Sequence, residues 1–157
     1  MKKRILLCSV LIIMVLLPAM AAPIARDSWS AGVNLGTGAQ SVAQYRLSDG
    51  VDLLFGVGLD FYYNAIYTDL VANFRVGGFT IGEADFDITV GGGALVGFYN
   101  DLVELSVIAP VGITYKVPEE VLPIDIYLRV GPSIRIFKGY RSDVLGLISY
   151  AGVIYRF

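Results

Sequence analysis

The residues of this chain best placed to do chemistry are ionised side chains spaced at even intervals inside apolar runs. Asp52 and Asp60 share a parity, as do Asp69 and Arg75, Asp85 and Asp87, and Glu104 and Lys116. Asp125, Arg129 and Arg135 share another, and Arg156 closes the last run. Opposite signs gathered on one face of a sheet neutralise each other as ion pairs, and buried charges need such partners. Acid–base or nucleophilic catalysis is harder to assemble. The 157 residues include no histidine, so neither an imidazole base nor a Ser–His–Asp triad can be built. Carboxylates alone could act, but no pair stands out. The one cysteine is Cys8, which rules out a zinc site built on His and Cys. A Ca²⁺ site would fall to Asp85 and Asp87, which alternation already places together on one inward face. No catalytic, cofactor-binding or metal-ligating residue is assigned.

The elements that position these charges are strands. Val51, Leu53, Phe55, Val57, Leu59 and Phe61 take one parity; Asp52, Gly56, Gly58 and Asp60 take the other, with Leu54 the exception. Period-two alternation puts each set on its own face. Eight such strands are expected, at about 28–36, 40–47, 51–61, 66–76, 84–98, 102–117, 124–136 and 144–157. Asp49-Gly50 is a strong hairpin signal, and Gly77-Gly78 is expected to open another turn. Asn100-Asp101, 118–123 and 138–143 are connections. Pro110 and Pro132 lie inside strands, where each lacks a ladder donor, so local bulges are expected there. An even count joined by hairpins predicts an all-β fold: an eight-stranded antiparallel up-and-down transmembrane β-barrel.

Ahead of the strands, Lys2, Lys3 and Arg4 precede an apolar stretch from Ile5 to Leu17, broken by Pro18. Ala19 and Ala21 form a small-x-small cleavage site, so residues 1–21 read as a secretory signal peptide. The stretch is short for a retained membrane anchor, and too little apolar chain precedes Cys8 for a lipoprotein signal. Residues 22–27 are a short N-terminal segment and 28–157 the barrel. Removing 1–21 takes away three bases and leaves nine against fourteen acids, a net charge of about −5. With no basic tract left, nucleic acid is not an expected partner.

Two architectures share this alternation. A soluble lipocalin-like barrel holds its apolar face inward; an outer-membrane barrel turns it toward lipid. The polar face decides between them. It is rich in glycine (Gly56, Gly58, Gly91, Gly93, Gly112, Gly131, Gly152), which suits a crowded narrow lumen. The charged share of the mature chain, 23 residues in 136, is well below the roughly 25–35% of a soluble surface. The ionised residues keep to one parity, and the other is nearly free of charge. That fits lipid, where an outward Lys or Arg costs about 2–4 kcal/mol at the midplane. Aromatics fall near strand ends. Phe61, Tyr62, Tyr63, Tyr67, Phe98, Tyr99, Phe137 and Tyr140 are expected at one rim; Trp29, Tyr45, Phe74, Phe79, Phe86, Tyr115, Tyr155 and Phe157 at the other.

The run Val153-Ile154-Tyr155-Arg156-Phe157 resembles the C-terminal assembly signal of bacterial outer-membrane barrels, with Val153, Tyr155 and Phe157 as its apolar and aromatic positions. With the export signal and the alternating strands, the chain resembles the small eight-stranded OmpA/OmpX-type barrels. Gly32-Val33-Asn34-Leu35-Gly36 and residues 45–49 give a looser likeness to small spirochaete-type barrel proteins. The resemblance implies Sec-type export, a bacterial outer-membrane location, lipid as surroundings, the barrel-assembly machinery as partner during biogenesis, and a monomer. It also implies termini in the periplasm and outward connections near 37–39, 62–65, 99–101 and 137–143. These are shorter than usual for the family, which disfavours adhesion or receptor roles. Barrel enzymes of similar architecture, such as lipid A deacylases, phospholipases and omptin proteases, use histidine, which this chain lacks.

The expected site is a lumen charge network of Asp52, Asp60, Asp69, Arg75, Asp87, Glu104, Lys116, Asp125, Arg129, Arg135 and Arg156. Alternating strand direction places Arg129 and Asp87 near mid-height. Asp60, Asp69, Glu104 and Arg135 come nearer the outer end, and Asp52, Arg75, Lys116, Asp125 and Arg156 nearer the periplasmic end. An ionic plug centred on Arg129 is expected. The function this predicts is structural, in envelope integrity, without enzyme activity or cofactor. The alternatives are a narrow pore gated by Arg129 and a soluble periplasmic carrier of apolar ligands.

Overall fold

The computed structural model describes residues 28–62, 65–99, 102–137 and 144–157. The signal segment with Ala19 and Ala21, residues 22–27, Tyr63 and Tyr140 lie outside the described residues. Nine antiparallel strands form one sheet: β1 (Trp29–Gly36), β2 (Gly38–Ser48), β3 (Val51–Asp60), β4 (Ala65–Ile81), β5 (Ala84–Tyr99), β6 (Leu102–Ile108), β7 (Val111–Lys116), β8 (Ile124–Phe137) and β9 (Leu145–Arg156). Chain neighbours pair in turn except β6 and β7, which each pair with β5 and β8, and β1 pairs with β9, so the sheet closes into a ring. Closure leaves no sheet edge around the body of the ring.

The count of nine corrects the expected eight. The sixth strand breaks at Ala109-Pro110 into β6 and β7, which lie end to end between β5 and β8. The ring therefore has eight positions filled by nine strands. The break has a local cause. Ile108 pairs with Ser133 and Val111 with Val130, so Ala109 and Pro110 face Gly131 and Pro132. Two residues without an N–H thus meet across one ladder, and its bonds are replaced. Ala109 N–H donates to the Pro132 carbonyl at 3.1 Å, and Gly91 N–H to the Pro110 carbonyl at 2.6 Å. On its other side Pro132 pairs in register with Leu147, without the expected bulge. The irregularities fall instead at Arg46/Ser48, Arg75/Gly77 and Leu105/Ser106.

The Gly77-Gly78 turn is also corrected. β4 runs on to Ile81, and the chain reverses at Gly82-Glu83, where Gly82 has φ +63°. A two-residue hairpin loop needs positive φ; the upstream glycines sit beside a bulge instead. The hairpin is therefore longer than the sequence suggests. The Asp49-Gly50 turn forms as expected, with Gly50 at φ +87°.

Alternation sorts the faces. Outward positions carry large exposed apolar side chains on every strand, among them Val33, Leu47, Leu59, Leu70, Val90, Val107, Val111, Leu128 and Leu147. Inward positions hold buried polar and charged residues, among them Asn34, Gln40, Asp69, Glu104, Asp125 and Arg129. Leu54, the exception to alternation, points inward and joins Val42, Val71, Ile108, Tyr127, Ile148, Tyr150 and Ile154 in an apolar cluster. At the lower end, where β1 begins, ring contacts join Trp29 to Tyr45, Phe79 to Phe86, Phe86 to Tyr115 and Tyr155 to Phe157. The upper rim is thinner than expected. Tyr67 and Tyr99 are buried, and Phe61, Tyr62, Phe98 and Phe137 stay exposed.

The seam between β1 and β9 tolerates little bulk on its inner side. A Cβ on Gly32 would run into the Val153 backbone carbonyl, whereas Gly92, outward on β5, has nothing within 4 Å. Gly32→Val is expected to cost about 1–3 kcal/mol or to block closure. Gly92→Val should stay within about 0.5 kcal/mol of the parent. Urea unfolding of the two variants checks this.

Candidate functional site: the filled lumen

The lumen carries its charges near its two ends. At the lower end Arg46 meets Asp52 at 3.6 Å, and Asp87 is shared by Lys116 at 2.7 Å and Arg75 at 3.6 Å. Arg156 reaches Asp125 at 3.4 Å and Glu119 at 3.3 Å, and donates to the Val117 carbonyl at 2.6 Å. At the upper end, on β6 and β8, Arg135 Nε donates to Glu104 Oε1 at 2.8 Å, with both side chains buried. Asp60 caps the upper turn, accepting from Tyr62 N–H at 2.8 Å. Glu104 and Arg135 fall at the end expected for them, and so do Asp52, Arg75, Lys116, Asp125 and Arg156.

Two heights and the centre are corrected. Asp87 lies in the lower cluster with Arg75 and Lys116, because the longer β4–β5 hairpin moves it downward. Asp69 lies deeper than its expected outer position. It accepts from Gln40 at 3.3 Å and from Tyr150 at 3.3 Å, and Tyr150 pairs in register with Arg129. Arg129 does not anchor an ionic plug. Among the described residues no carboxylate lies within 4 Å of it, and its Nε has no hydrogen-bond partner. Its guanidinium lies 4.0 Å from the centre of the Tyr127 ring instead, a cation–π contact. Asp85, read as inward, is exposed and accepts from Thr80 Oγ1 at 2.7 Å. Among the described residues no acidic, His or Cys group of three could hold a metal.

The middle of the bore is held by neutral groups that the sequence reading missed. Tyr67 Oη donates to Gln40 Oε1 at 2.8 Å, Gln40 donates to Asp69, and Tyr127 Oη donates to Asn34 Oδ1. A signal was present, since Tyr127 and Tyr150 are large residues on a parity otherwise rich in glycine and charge. The glycines supply the room. A Cβ on Gly152 would meet the Tyr127 ring and Asn34, one on Gly112 the Arg129 stem, and one on Gly56 Gln40 and Asp69.

The filling divides the bore. A lower cavity of about 30 Å³ is bordered by Arg46, Asp52, Asp87, Asp125 and Arg129. An upper basin of about 450 Å³ is bordered by Tyr67, Leu95, Glu104, Arg135 and Tyr150. The two share no wall residue, and the apolar cluster with its tyrosine hydrogen bonds stands between them. A third depression of about 580 Å³ lies below the lower cluster, under the β4–β5 hairpin.

No protein-family model, no curated protein and no solved structure matches this chain.

The Tyr127 ring and its hydroxyl do separable work. Tyr127→Phe keeps the ring beside Arg129 and leaves the Asn34 oxygen without its donor, at an expected cost of about 1–3 kcal/mol. Tyr127→Leu also removes the cation–π contact and is expected to cost about 0.5–2 kcal/mol more. Denaturant midpoints of parent, Phe and Leu variants, in that order, check the ranking.

Proposed function

We propose that this chain is a small outer-membrane β-barrel of the OmpA/OmpX type. Its lumen is closed by its own side chains, and its role is structural, in envelope integrity, without enzyme activity. The observation that carries this reading is the inverted partition of the sheet. Apolar side chains stand exposed on the outside of every strand while charged and amide side chains fill the bore. A contiguous apolar outside this large is a liability in water and an asset in lipid. A closed ring with paired backbone is one of the two structures that can span a bilayer. The aromatic contacts at the lower end suit an interfacial girdle. The export signal and the Val153–Tyr155–Phe157 pattern support the same location and delivery through the barrel-assembly machinery.

A second reading, a narrow gated pore for water or small ions, has one observation in its favour. Arg129 is buried with no ion pair among the described residues, beside a cavity that Asp52 and Asp125 also border. A change of partner there would rearrange the lower half of the bore. The separation of the two cavities favours the closed barrel. A soluble carrier with an apolar calyx fits least, because the interior is polar and largely filled.

Leu128 tests the surroundings directly. It points outward near mid-height and is 53% exposed. In a bilayer Leu128→Arg is expected to cost about 2–4 kcal/mol; on a soluble protein the same change would be nearly neutral or would aid solubility. Folding titrations of parent and variant in lipid vesicles measure the difference. A mature protein that stays monomeric and folded in buffer without detergent would sink the membrane reading. In planar bilayers the parent is expected to be silent, and steady conductance from it would transfer support to the pore.

A further inference from the structure

We propose that the upper basin is a binding site for a small organic ammonium ion with an apolar arm. The inference stands on the basin itself and holds whether or not the barrel lies in a membrane. At about 450 Å³ the basin falls within the range of small-molecule sites and is far larger than the lower cavity. Its wall mixes tyrosine rings and aliphatic side chains with a few acceptors, the usual make-up of a ligand site.

The acceptors point to the ligand's charge. Glu104, 2% exposed, uses Oε1 to accept from Arg135, and its Oε2 has no partner. Ser106, two residues along on the inward face of β6, is 1% exposed, and its Oγ also has no partner. Both border the basin. A buried carboxylate oxygen is best satisfied by a charged donor, since charge-assisted hydrogen bonds are shorter and stronger than neutral ones. Arg135 fixes one oxygen of Glu104; the other is enclosed at the wall, and an ammonium group would reach it once the Glu104 carboxylate turns toward the basin.

The remaining wall fits the rest of such a ligand. Tyr67 and Tyr150 also border the basin, and aromatic rings attract cations. Leu95 and Ile148 offer an apolar surface for a hydrocarbon arm. A bare metal ion fits poorly, because no group of three suitable ligands occurs among the described residues. Below, the Tyr67–Gln40–Asp69–Tyr150 hydrogen bonds close the floor. The basin is thus a dead end that would hold a ligand rather than pass it.

The test is calorimetric titration of the folded full barrel in detergent micelles with phenethylammonium. 2-Phenylethanol serves as the neutral analogue, and empty micelles as the blank. The expected result is saturable binding of the ammonium, at least tenfold tighter than the alcohol. Glu104→Gln should erase that preference, and Asp125→Asn in the lower cluster should leave it intact. Should Glu104→Gln fail to fold, Leu95→Trp, which fills the basin, must abolish binding. Equal and unsaturable uptake of both compounds, an ammonium preference that survives Glu104→Gln, or ammonium binding that survives Leu95→Trp would overturn the proposal.

Discussion

Seven residue pairs, from Ser30↔Arg156 to Gly36↔Tyr150, join β1 to β9 and make a ring of what would otherwise be an open sheet. A closed ring gives each strand a neighbour on both sides and fixes which parity faces the axis. A register slip of one residue at any ladder would send the charged set outward and the apolar set inward. With eight positions around the ring, the bore is wide enough for side chains and little more. Every inward residue must therefore fit against inward residues of the neighbouring strands as well. The inward glycines answer this, since Gly56, Gly112 and Gly152 stand where Gln40, Arg129 and Tyr127 need space.

Much of this was legible before any coordinates. Alternation named the outward set, and the lower aromatic rim follows from strand direction. The inward parity of all eleven charged residues in the expected lumen network follows from the same period. Both are properties of local backbone geometry, and a period of two states them without ambiguity. Heights were less legible, because they depend on where each hairpin turns. Gly77-Gly78 offered a plausible turn, but the chain uses Gly82-Glu83, and the difference carried Asp87 from mid-height to the lower cluster. The Pro110 break depended on a fact outside any single segment: the stretch of β8 opposite Ala109-Pro110 carries a second proline, Pro132, facing Ala109.

The centre of the bore was the least legible part, for a physical reason. Charges are conspicuous in a sequence, so an ionic plug is the natural expectation. Desolvation runs the other way. A charge costs most where it is farthest from water, and an ion pair there recovers that cost only with near-ideal geometry and further hydrogen bonds. Neutral tyrosine hydroxyls and amides satisfy one another with far less penalty. The structure follows that ordering in part: Arg46–Asp52 and the Asp87 cluster stay partly exposed at one end, while Asp125 and the Glu104–Arg135 pair are buried as deeply as the neutral groups. Tyr67, Gln40, Tyr127, Asn34 and Tyr150 hold the middle.

Asp69 and Arg129 are the charges that remain in the middle, and they are handled differently. Asp69 is surrounded by donors, Gln40 and Tyr150 among them, which spread its charge over polar groups. Arg129 has the Tyr127 ring, whose hydroxyl is in turn bound to Asn34. The aromatic face offers attraction without demanding the bidentate alignment of a carboxylate. A guanidinium is also the cation best suited to such stacking, being planar and weakly hydrated. Tyr127 thus does two jobs at one position. It lies beside Arg129, and it ties β8 to β1 over Gly152 of the intervening β9, next to the closing seam. The residue that shields the Arg129 charge thus also takes up room in the bore, where Gly152 leaves space for its ring.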